Sequence, residues 1–151
     1  MEPDTAWQLL ISRPVAVLAT IDPDGSPHLV PFTFAPLEGR TLVFAVDDKP
    51  KASRSLRRLE NIARDPRVTV LAHHYGEDWS ELWWVRARGT ASISDVAPPG
   101  AERRLRDRYP DYREQALSPW VTIDVGEVRG WSASTPDASG RPVDSGGGDP
   151  E

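Results

Sequence analysis

VAVLATIDPDGSPHLV, residues 15–30, is the stretch that decides the fold class of this chain. Its first seven residues form a continuous apolar and β-branched run, which predicts a buried strand. Residues 22–26 are typical of a turn, in which Gly25 can adopt a positive φ. The next strand is predicted from about His28 to Ala35, and a third follows at residues 41–46 after a turn at 36–40. Three strands on short turns predict an antiparallel meander.

The rest of the chain adds three strands and three helices to this meander. Strands are predicted at residues 67–75, 82–94 and 120–125, and the long fifth strand alternates apolar with polar side chains. Helices are predicted at 5–12, 50–64 and 99–117, the last one broken or kinked at Pro110. The strands are too hydrophobic on both faces for a one-layer sheet. The pattern therefore predicts a mainly β protein, a small six-stranded antiparallel β-barrel with peripheral helices.

Length and composition narrow the class of protein further. The 151 residues predict one domain at 1–133 and a flexible, disordered tail at 134–151 that is rich in Ser, Pro and Gly. The absence of cysteine excludes disulfides, thiol nucleophiles and thiolate metal sites, and it fits a reducing cytoplasm. No apolar run approaches the roughly 20 residues of a membrane span. The net charge of −5, from 23 acidic and 18 basic side chains, argues against nucleic-acid binding.

The two lysines stand apart from the other basic residues. Lys49 and Lys51 are the only lysines among 18 basic side chains, and they precede the predicted second helix. Cations at a helix N-terminus oppose the helix macrodipole unless an anion docks against them and the free backbone N–H groups. Lysine is also a compact point charge that suits phosphate. The segment is therefore either a phosphate site or a solvated turn in which the lysines pair with Asp47 and Asp48.

Two further patterns point to binding surfaces. Arg86 and Arg88 share one face of the predicted fifth strand with Trp84. Two arginines at this spacing repel each other, so either acidic partners or a ligand anion are expected between them. Trp79 lies in a loop with Gly and Asp, where it is either a lid over a partner surface or a simple anchor.

The common catalytic and nucleotide-binding motifs are missing. The sequence has no Gly-x-Ser-x-Gly elbow, which argues against a Ser–His–Asp hydrolase. It also lacks the Gly-x-Gly-x-x-Gly and Walker motifs, which excludes Rossmann and P-loop nucleotide sites. His73 and His74 are adjacent on a predicted strand and point to opposite faces, so they are poorly placed to share a metal ion. The sequence therefore predicts no metal site, and it assigns no catalytic residue.

Several stretches, taken in order, resemble a known family. They are residues 17–20 with 24–28, then 46–51, 61–68 and 83–91. This series resembles the split β-barrel proteins that bind flavins and deazaflavins, the pyridoxamine-phosphate-oxidase-like superfamily. Within it the chain is most similar to the actinobacterial branch that uses coenzyme F420, including the loop at 77–80. The resemblance covers about residues 12–131 and implies an FMN-binding-like split barrel.

The resemblance also implies a homodimer with two cofactor sites at the subunit interface. The implied cofactor contacts are Lys49, Lys51 and the helper Arg54 for the phosphate, Pro31, Phe32 and Thr33 for the isoalloxazine or deazaflavin ring, and Trp79 and Arg86 from the partner subunit. Two departures from the family stand out. The helix after Lys51 is longer before Asn61 than in many flavin-binding members, and Pro31 lacks the polar side chain that some relatives place beside the ring.

The activity implied by the resemblance is that of an F420-dependent oxidoreductase, which transfers a hydride between the deazaflavin and a small organic substrate. The cofactor would carry the hydride chemistry, so no protein nucleophile is needed. The alternatives are an FMN-binding oxidase or reductase of the same fold, and a non-catalytic flavin, deazaflavin or haem carrier. Haem binding is disfavoured because only His28, His73 and His74 could ligate iron, and none lies in a recognisable haem motif.

Overall fold

The computed structural model describes residues 1–46, 52–136 and 142–143, and the side chains of these residues apart from 52–56, 135–136 and 142–143. The main elements of the described chain are α1 (Pro3–Ser12), β1 (Ala16–Ile21), β2 (Pro27–Phe32), β3 (Ala35–Leu37), β4 (Thr41–Ala45), α2 (Ala52–Arg64), β5 (Arg67–His74), β6 (Trp83–Ser94), α3 (Ala101–Arg108) and β7 (Trp120–Ser132). Short 3₁₀ turns lie at Trp79–Glu81 and Pro110–Tyr112.

Strands β1 to β7 form one antiparallel sheet in the order β2-β1-β5-β6-β7-β4-β3. The two edge strands, β2 and β3, follow each other in the chain and are joined only by Thr33 and Phe34. So short a connection keeps the ends of the two edges within about 11 Å of each other. The sheet therefore curls into a split barrel, and we call the gap between its edges the seam. The predicted mainly β split barrel is confirmed, with seven strands in the described sheet instead of six.

The prediction of one continuous strand from His28 to Ala35 is wrong. Residues 27–32 pair with β1, whereas residues 35–37 pair with β4. Strand β4 has β7 as its other neighbour. The hairpins β1–β2 and β3–β4 exist as predicted, but the three-strand meander does not. A single straight strand cannot serve two edges that face different neighbours, so the chain breaks at Thr33 and Phe34 between them.

Apolar side chains on the inner face of the sheet form the main core. Leu18, Val70 and Val85 lie on three adjacent strands and are completely buried, and α1 adds Leu9 and Leu10 to the same cluster. Along β1, buried residues alternate with half-buried ones. The continuous apolar run of β1 is thus covered fully on its inner face and only partly on its outer face. A smaller core lies where α3 packs on β3 and β4.

Helix α2 is fixed to the β1–β2 hairpin by a polar network. The Arg57 guanidinium donates to both carboxylate oxygens of Asp22, with Nε–Oδ1 at 3.0 Å and Nη2–Oδ2 at 2.7 Å. Asn61, which is 1% exposed, donates from Nδ2 to Asp22 Oδ1 at 2.9 Å and to Thr20 Oγ1 at 3.0 Å. The bond from Arg57, followed by that from Asn61, lowers the pKa of Asp22 to about 2. The network sets the position of the helix that also carries Arg58.

The C-terminal third differs from the prediction in two places. The helix predicted at 99–117 is only α3, followed by the 3₁₀ turn at 110–112, and residues 113–117 are not helical. The predicted break at Pro110 is confirmed: Pro110 has no N–H for a helical hydrogen bond, and the helix ends before it. The strand predicted at 120–125 continues to Ser132, because β7 pairs with β6 along its whole length across a bulge between Arg88 and Gly89.

The segment after β7 is described only in part. Of the tail predicted at 134–151, residues 137–141 and 144–151 lie outside the described residues, so its flexibility stays a prediction. Ser134 donates from Oγ to the backbone oxygen of Ser80 at 2.8 Å. Two short strands, β8 (Thr135–Pro136) and β9 (Pro142–Val143), pair with each other. Within the described ranges, no helix has the length and apolarity needed to cross a membrane.

Candidate functional site

A cleft of about 220 Å³ opens at the seam, where β2 and β4 end. We call it the seam cleft. Six of the described residues that line it are apolar: Val15, Pro31, Phe32, Phe44, Ala45 and Val46. Its polar side chains are Thr33, Arg58 and Tyr112. The cleft exists because the break at Thr33 and Phe34 leaves the two edge strands without a common ladder. All three residues predicted to face a ring, Pro31 to Thr33, lie on its wall.

Aromatic rings support the apolar side of the cleft. The rings of Phe32 and Phe34 stack with centroids 5.1 Å apart, and Phe44 meets Phe32 edge to face at 5.4 Å. Phe32 is 4% exposed and Phe44 is 2% exposed, so their rings belong to the core and their positions are fixed by packing. Pro31 is exposed at the rim. The result is a rigid apolar surface of the kind that suits a flat ligand.

The Tyr109 hydroxyl fastens the seam from outside the sheet. It accepts a hydrogen bond from the backbone N–H of Phe34 at 3.2 Å, and it lies 2.9 Å from the backbone oxygen of Phe34 and 2.6 Å from that of Pro14. Its single proton can serve one of these two oxygens at a time. The break in the strand leaves the Phe34 backbone outside the sheet ladder, and Tyr109 supplies the partner that buried backbone groups require.

The polar groups of the cleft come from three separate elements. Thr33 Oγ1 and the Tyr112 hydroxyl are hydrogen-bonded at 2.7 Å. The Arg58 guanidinium, from α2, lies over the ring of Phe44 at 5.4 Å from its centroid. A ligand in the cleft would therefore meet hydroxyl groups at the Thr33 end and a cation on the α2 side.

The predicted phosphate residues are not tested by this geometry. Lys49 and Lys51 lie outside the described residues, and so do Asp47 and Asp48. Arg54 belongs to the first turns of α2, but its side chain also lies outside the described part. The seam cleft nevertheless has one wall at Val46, the last described residue before the lysine segment. The phosphate-binding role of the lysine pair thus stays a prediction. In the sequence, the pair follows closely after a residue at the edge of the cleft.

Trp79 is far from buried. It begins the 3₁₀ turn after β5 and is 76% exposed. The turn is held by Asp78, whose Oδ1 accepts from Ser80 N at 3.0 Å and from Ser80 Oγ at 2.6 Å. These bonds lower the pKa of Asp78. The fixed turn presents the indole to solvent, and it does not line the seam cleft of its own chain.

Arg86 lies on the outer face of the sheet and not in the cleft. Its guanidinium is 5.5 Å from the centroid of the Trp84 ring, and its buried Nε has no hydrogen-bond partner in the described part of the chain. Its neighbours in register include Arg129, whose Nε donates to Glu127 at 3.0 Å. Glu127 is also in register with Arg88. Glu127 therefore lies in the same cross-strand region, but its described ion pair is with Arg129, so neither interpretation of Arg86 and Arg88 is decided.

Tyr112 and Arg58 are cleft residues that the sequence patterns did not single out. Tyr112 lies 79 residues from Thr33 in the chain, in a region that was predicted as helix with a break or kink at Pro110. The break at Pro110 was the available signal, because a chain that leaves a helix can turn a side chain back toward the sheet. Arg58 was hidden among the arginines of α2, and only the position of that helix separates it from them.

The chain belongs to the pyridoxamine 5'-phosphate oxidase family, because residues 3–132 match the model of that family. The match covers the whole split barrel and confirms the resemblance to the pyridoxamine-phosphate-oxidase-like superfamily. No curated protein matches the chain.

Solved structures share the fold at low sequence identity. One is the Mycobacterium tuberculosis protein Rv2991, with 24% identity, a TM-score of 0.64, and coverage of 87% of this chain and 85% of that one. A second is an FAD-binding protein of Mycobacterium smegmatis, with 21% identity, a TM-score of 0.58, and coverage of 86% and 93%. A third is a haem-binding protein of Mycobacterium smegmatis, with 22% identity and a TM-score of 0.63, and here 86% of this chain covers 55% of the other.

Proposed function

We propose that this protein is an F420-dependent oxidoreductase that transfers a hydride between the deazaflavin and a small organic substrate. The observation that carries the proposal is the seam cleft, which is lined by Pro31, Phe32 and Thr33 and ends at Val46. In the sequence, Lys49 and Lys51 follow Val46 after a few residues. Apolar wall residues, with two lysines a few positions further along the chain, suit a ring joined to a phosphate.

The residues of this chain would bind and orient the cofactor. Lys49, Lys51 and Arg54 would hold its phosphate, and each charge-assisted hydrogen bond contributes about 1.5–3 kcal/mol. The aromatic wall would fix the plane of the ring and exclude water from one of its faces. When bound, the cofactor supplies the hydride. Among the described residues, the side chains that line the cleft include hydroxyls and a guanidinium but no carboxylate or imidazole, in agreement with this division of labour.

The site would be completed by a second copy of the chain. A volume of about 220 Å³ is below the roughly 300–1,000 Å³ of complete ligand pockets. The outer face of the sheet offers a route for pairing, because Pro31 at the rim is in register with Val17, then Leu71, then Arg86. Val17 and Leu71 are only half-buried, and the nearby Leu29 is 57% exposed. A partner packed on this row would bring the exposed Trp79 and Arg86 toward the neighbouring cleft.

FMN is the second candidate cofactor. The same cleft would accept its ring, and the fold is shared with an FAD-binding protein. A haem carrier is the third candidate, favoured only by the shared fold of a haem-binding protein. In all three cases the absence of cysteine fits a reducing cytoplasm, which is where we place the protein.

The test is a pair of titrations with coenzyme F420 and FMN, followed by quenching of tryptophan fluorescence. We expect saturable binding of F420, and oxidation of the reduced cofactor when reducible compounds are screened as acceptors. Tight binding of FMN with none of F420 would replace the first candidate by the second. Binding without turnover of any acceptor would make the protein a carrier. Sedimentation should give a dimer, and a monomer would contradict the shared site.

A further inference from the structure

The two hydroxyls of the seam cleft are hydrogen-bonded to each other and still have donor and acceptor sites for further hydrogen bonds. Thr33 Oγ1 and the Tyr112 hydroxyl are 2.7 Å apart, and both residues are half-buried. Two hydroxyls carry two protons, and one proton is used in the bond between them. Within the described chain, neither hydroxyl has another hydrogen bond. One O–H and several oxygen lone pairs are therefore left for a ligand in the cleft.

The pair is held in place from behind. The backbone N–H of Tyr112 donates to the backbone oxygen of Tyr109 at 2.9 Å, and the centroids of the two tyrosine rings are 5.8 Å apart. Arg106 donates to the backbone oxygen of Tyr112 and, at 3.0 Å, to that of Gln115. Thr33 is fixed from both sides: β2 ends at the residue before it, and the Tyr109 hydroxyl binds the backbone of Phe34 after it. Binding groups that are rigid before the ligand arrives lose little entropy when it binds.

The free capacity of the pair suits a ring edge on which an acceptor and a donor stand side by side. If Thr33 donates to the Tyr112 oxygen, then the Tyr112 proton is free for a carbonyl oxygen, and the Thr33 oxygen is free for an N–H. A cyclic imide has this arrangement, since its N–H lies between two carbonyl groups. Flavins and deazaflavins both carry an imide at the pyrimidinedione end of the ring system. The other described side chains of the cleft wall are apolar or cationic and offer no such match.

We propose that the Thr33–Tyr112 pair binds the imide edge of a planar ring in the seam cleft, with Tyr112 donating to a carbonyl and Thr33 accepting from the adjacent N–H. The inference rests on the proposed function, because it needs a flavin or deazaflavin in this cleft. It also specifies the orientation of the ring in the cleft. The imide end of the ring lies at Thr33, and the opposite end points away from it.

Tyr112→Phe removes the donor and keeps the ring. We expect the dissociation constants of FMN and coenzyme F420 to rise by about 2- to 12-fold, the effect of one hydrogen bond. In isotope-edited infrared spectra of FMN carrying a ¹³C-labelled imide carbonyl, the carbonyl band should move to higher frequency in the variant. Tyr75→Phe is the matched control, since Tyr75 is 57% exposed and does not line the cleft. Equal affinity and an unmoved band in Tyr112→Phe would overturn the inference.

A ligand variant tests the other half of the pair. FMN methylated at the imide nitrogen has no N–H to donate, so the wild type should bind it more weakly than FMN by a similar factor. In Thr33→Val the acceptor is gone, and the difference between the two ligands should shrink. A difference that persists in Thr33→Val would reflect the bulk of the methyl group and contradict the assigned contact. A wild type that binds neither FMN nor F420 refutes the proposed function, whereas normal binding with unaffected variants refutes only this inference.

Discussion

The Tyr109 hydroxyl should be worth more to the stability of this fold than a surface hydroxyl, and Tyr109→Phe tests that expectation. The change removes one oxygen and keeps the ring that packs against Tyr112. The lost oxygen is the partner of the Phe34 N–H at 3.2 Å and of the Phe34 or Pro14 carbonyl at 2.9 or 2.6 Å. Arg108 also donates to it from Nε at 3.1 Å.

The magnitude follows from the burial of Phe34, which is 0% exposed. A buried backbone group left without its partner costs about 1–3 kcal/mol. For a chain of this length, each kcal/mol corresponds to about 2–4 °C in Tm. Tyr109→Phe should therefore lower Tm by about 2–12 °C. Tyr75→Phe should change it by far less, because Tyr75 is 57% exposed and has no hydroxyl hydrogen bond in the described chain.

Two measurements check the prediction. Thermal unfolding followed by circular dichroism gives Tm for both variants, and native-state hydrogen exchange reports on the Phe34 amide itself. In Tyr109→Phe that amide should exchange faster than in the wild type, while amides in the centre of β5 and β6 keep their protection. Equal Tm values for the two variants, or an unchanged exchange rate at Phe34, would refute the role assigned to Tyr109 at the seam.

Three other predictions test the anchor of α2, the lysine segment and the long hairpin. Arg57 and Asn61 lower the pKa of Asp22 to about 2. Asp22 therefore contributes stability above its unfolded pKa, and this stability is lost as the pH falls from about 4 toward 2. The urea midpoints at pH 5 and pH 3 should differ less in Asp22→Asn than in the wild type. Lys51→Ala should weaken FMN or F420 binding by about 10- to 150-fold with an unchanged Tm, and an unchanged dissociation constant would return the lysines to a solvated turn. Gly89→Ala would place a Cβ in steric conflict with the backbone oxygen of Asp124 in β7, so a loss of about 1–3 kcal/mol in the free energy of unfolding is expected in urea. Gly126→Ala, where a Cβ meets nothing within 4 Å, is its control, and equal losses would contradict the steric argument.

The elements of this fold were readable from the sequence where local pattern and tertiary structure agree. The apolar run of β1, the turn at Gly25 and the alternation of β6 all appear where they were predicted. The break at Thr33 and Phe34 was not readable, because both residue types suit a strand and the cause lies elsewhere. Tyr109, 75 residues further along, supplies the hydrogen bonds that make the break tolerable. Strand β7 was underestimated for a similar reason, since its second half is ordered by pairing with β6.

The residues of the candidate site also divide into those that were expected from the sequence and those that were missed. The wall residues Pro31, Phe32 and Thr33 were expected from the family resemblance, because they lie in the strand region that follows the matching stretch at residues 24–28. Tyr112 was missed because its contact with Thr33 spans 79 residues and depends on how the chain leaves α3. Arg58 was missed because nothing in the sequence of α2 separates it from Arg57, which faces the hairpin. Neighbouring residues on a helix point in different directions, so one can anchor the helix while the next one reaches the cleft.

The seam connects the stability of this fold with its capacity to bind a ligand. Direct pairing of β2 with β3 would close the barrel, satisfy both edges and remove the hazard of free strand edges. It would also remove the break that follows β2, beside which the cleft opens. The chain instead leaves the edges apart and satisfies the Phe34 backbone with one tyrosine hydroxyl. Two tyrosines three residues apart thus have different roles. The Tyr109 hydroxyl binds the backbone at the seam, whereas the Tyr112 hydroxyl lines the cleft that opens there.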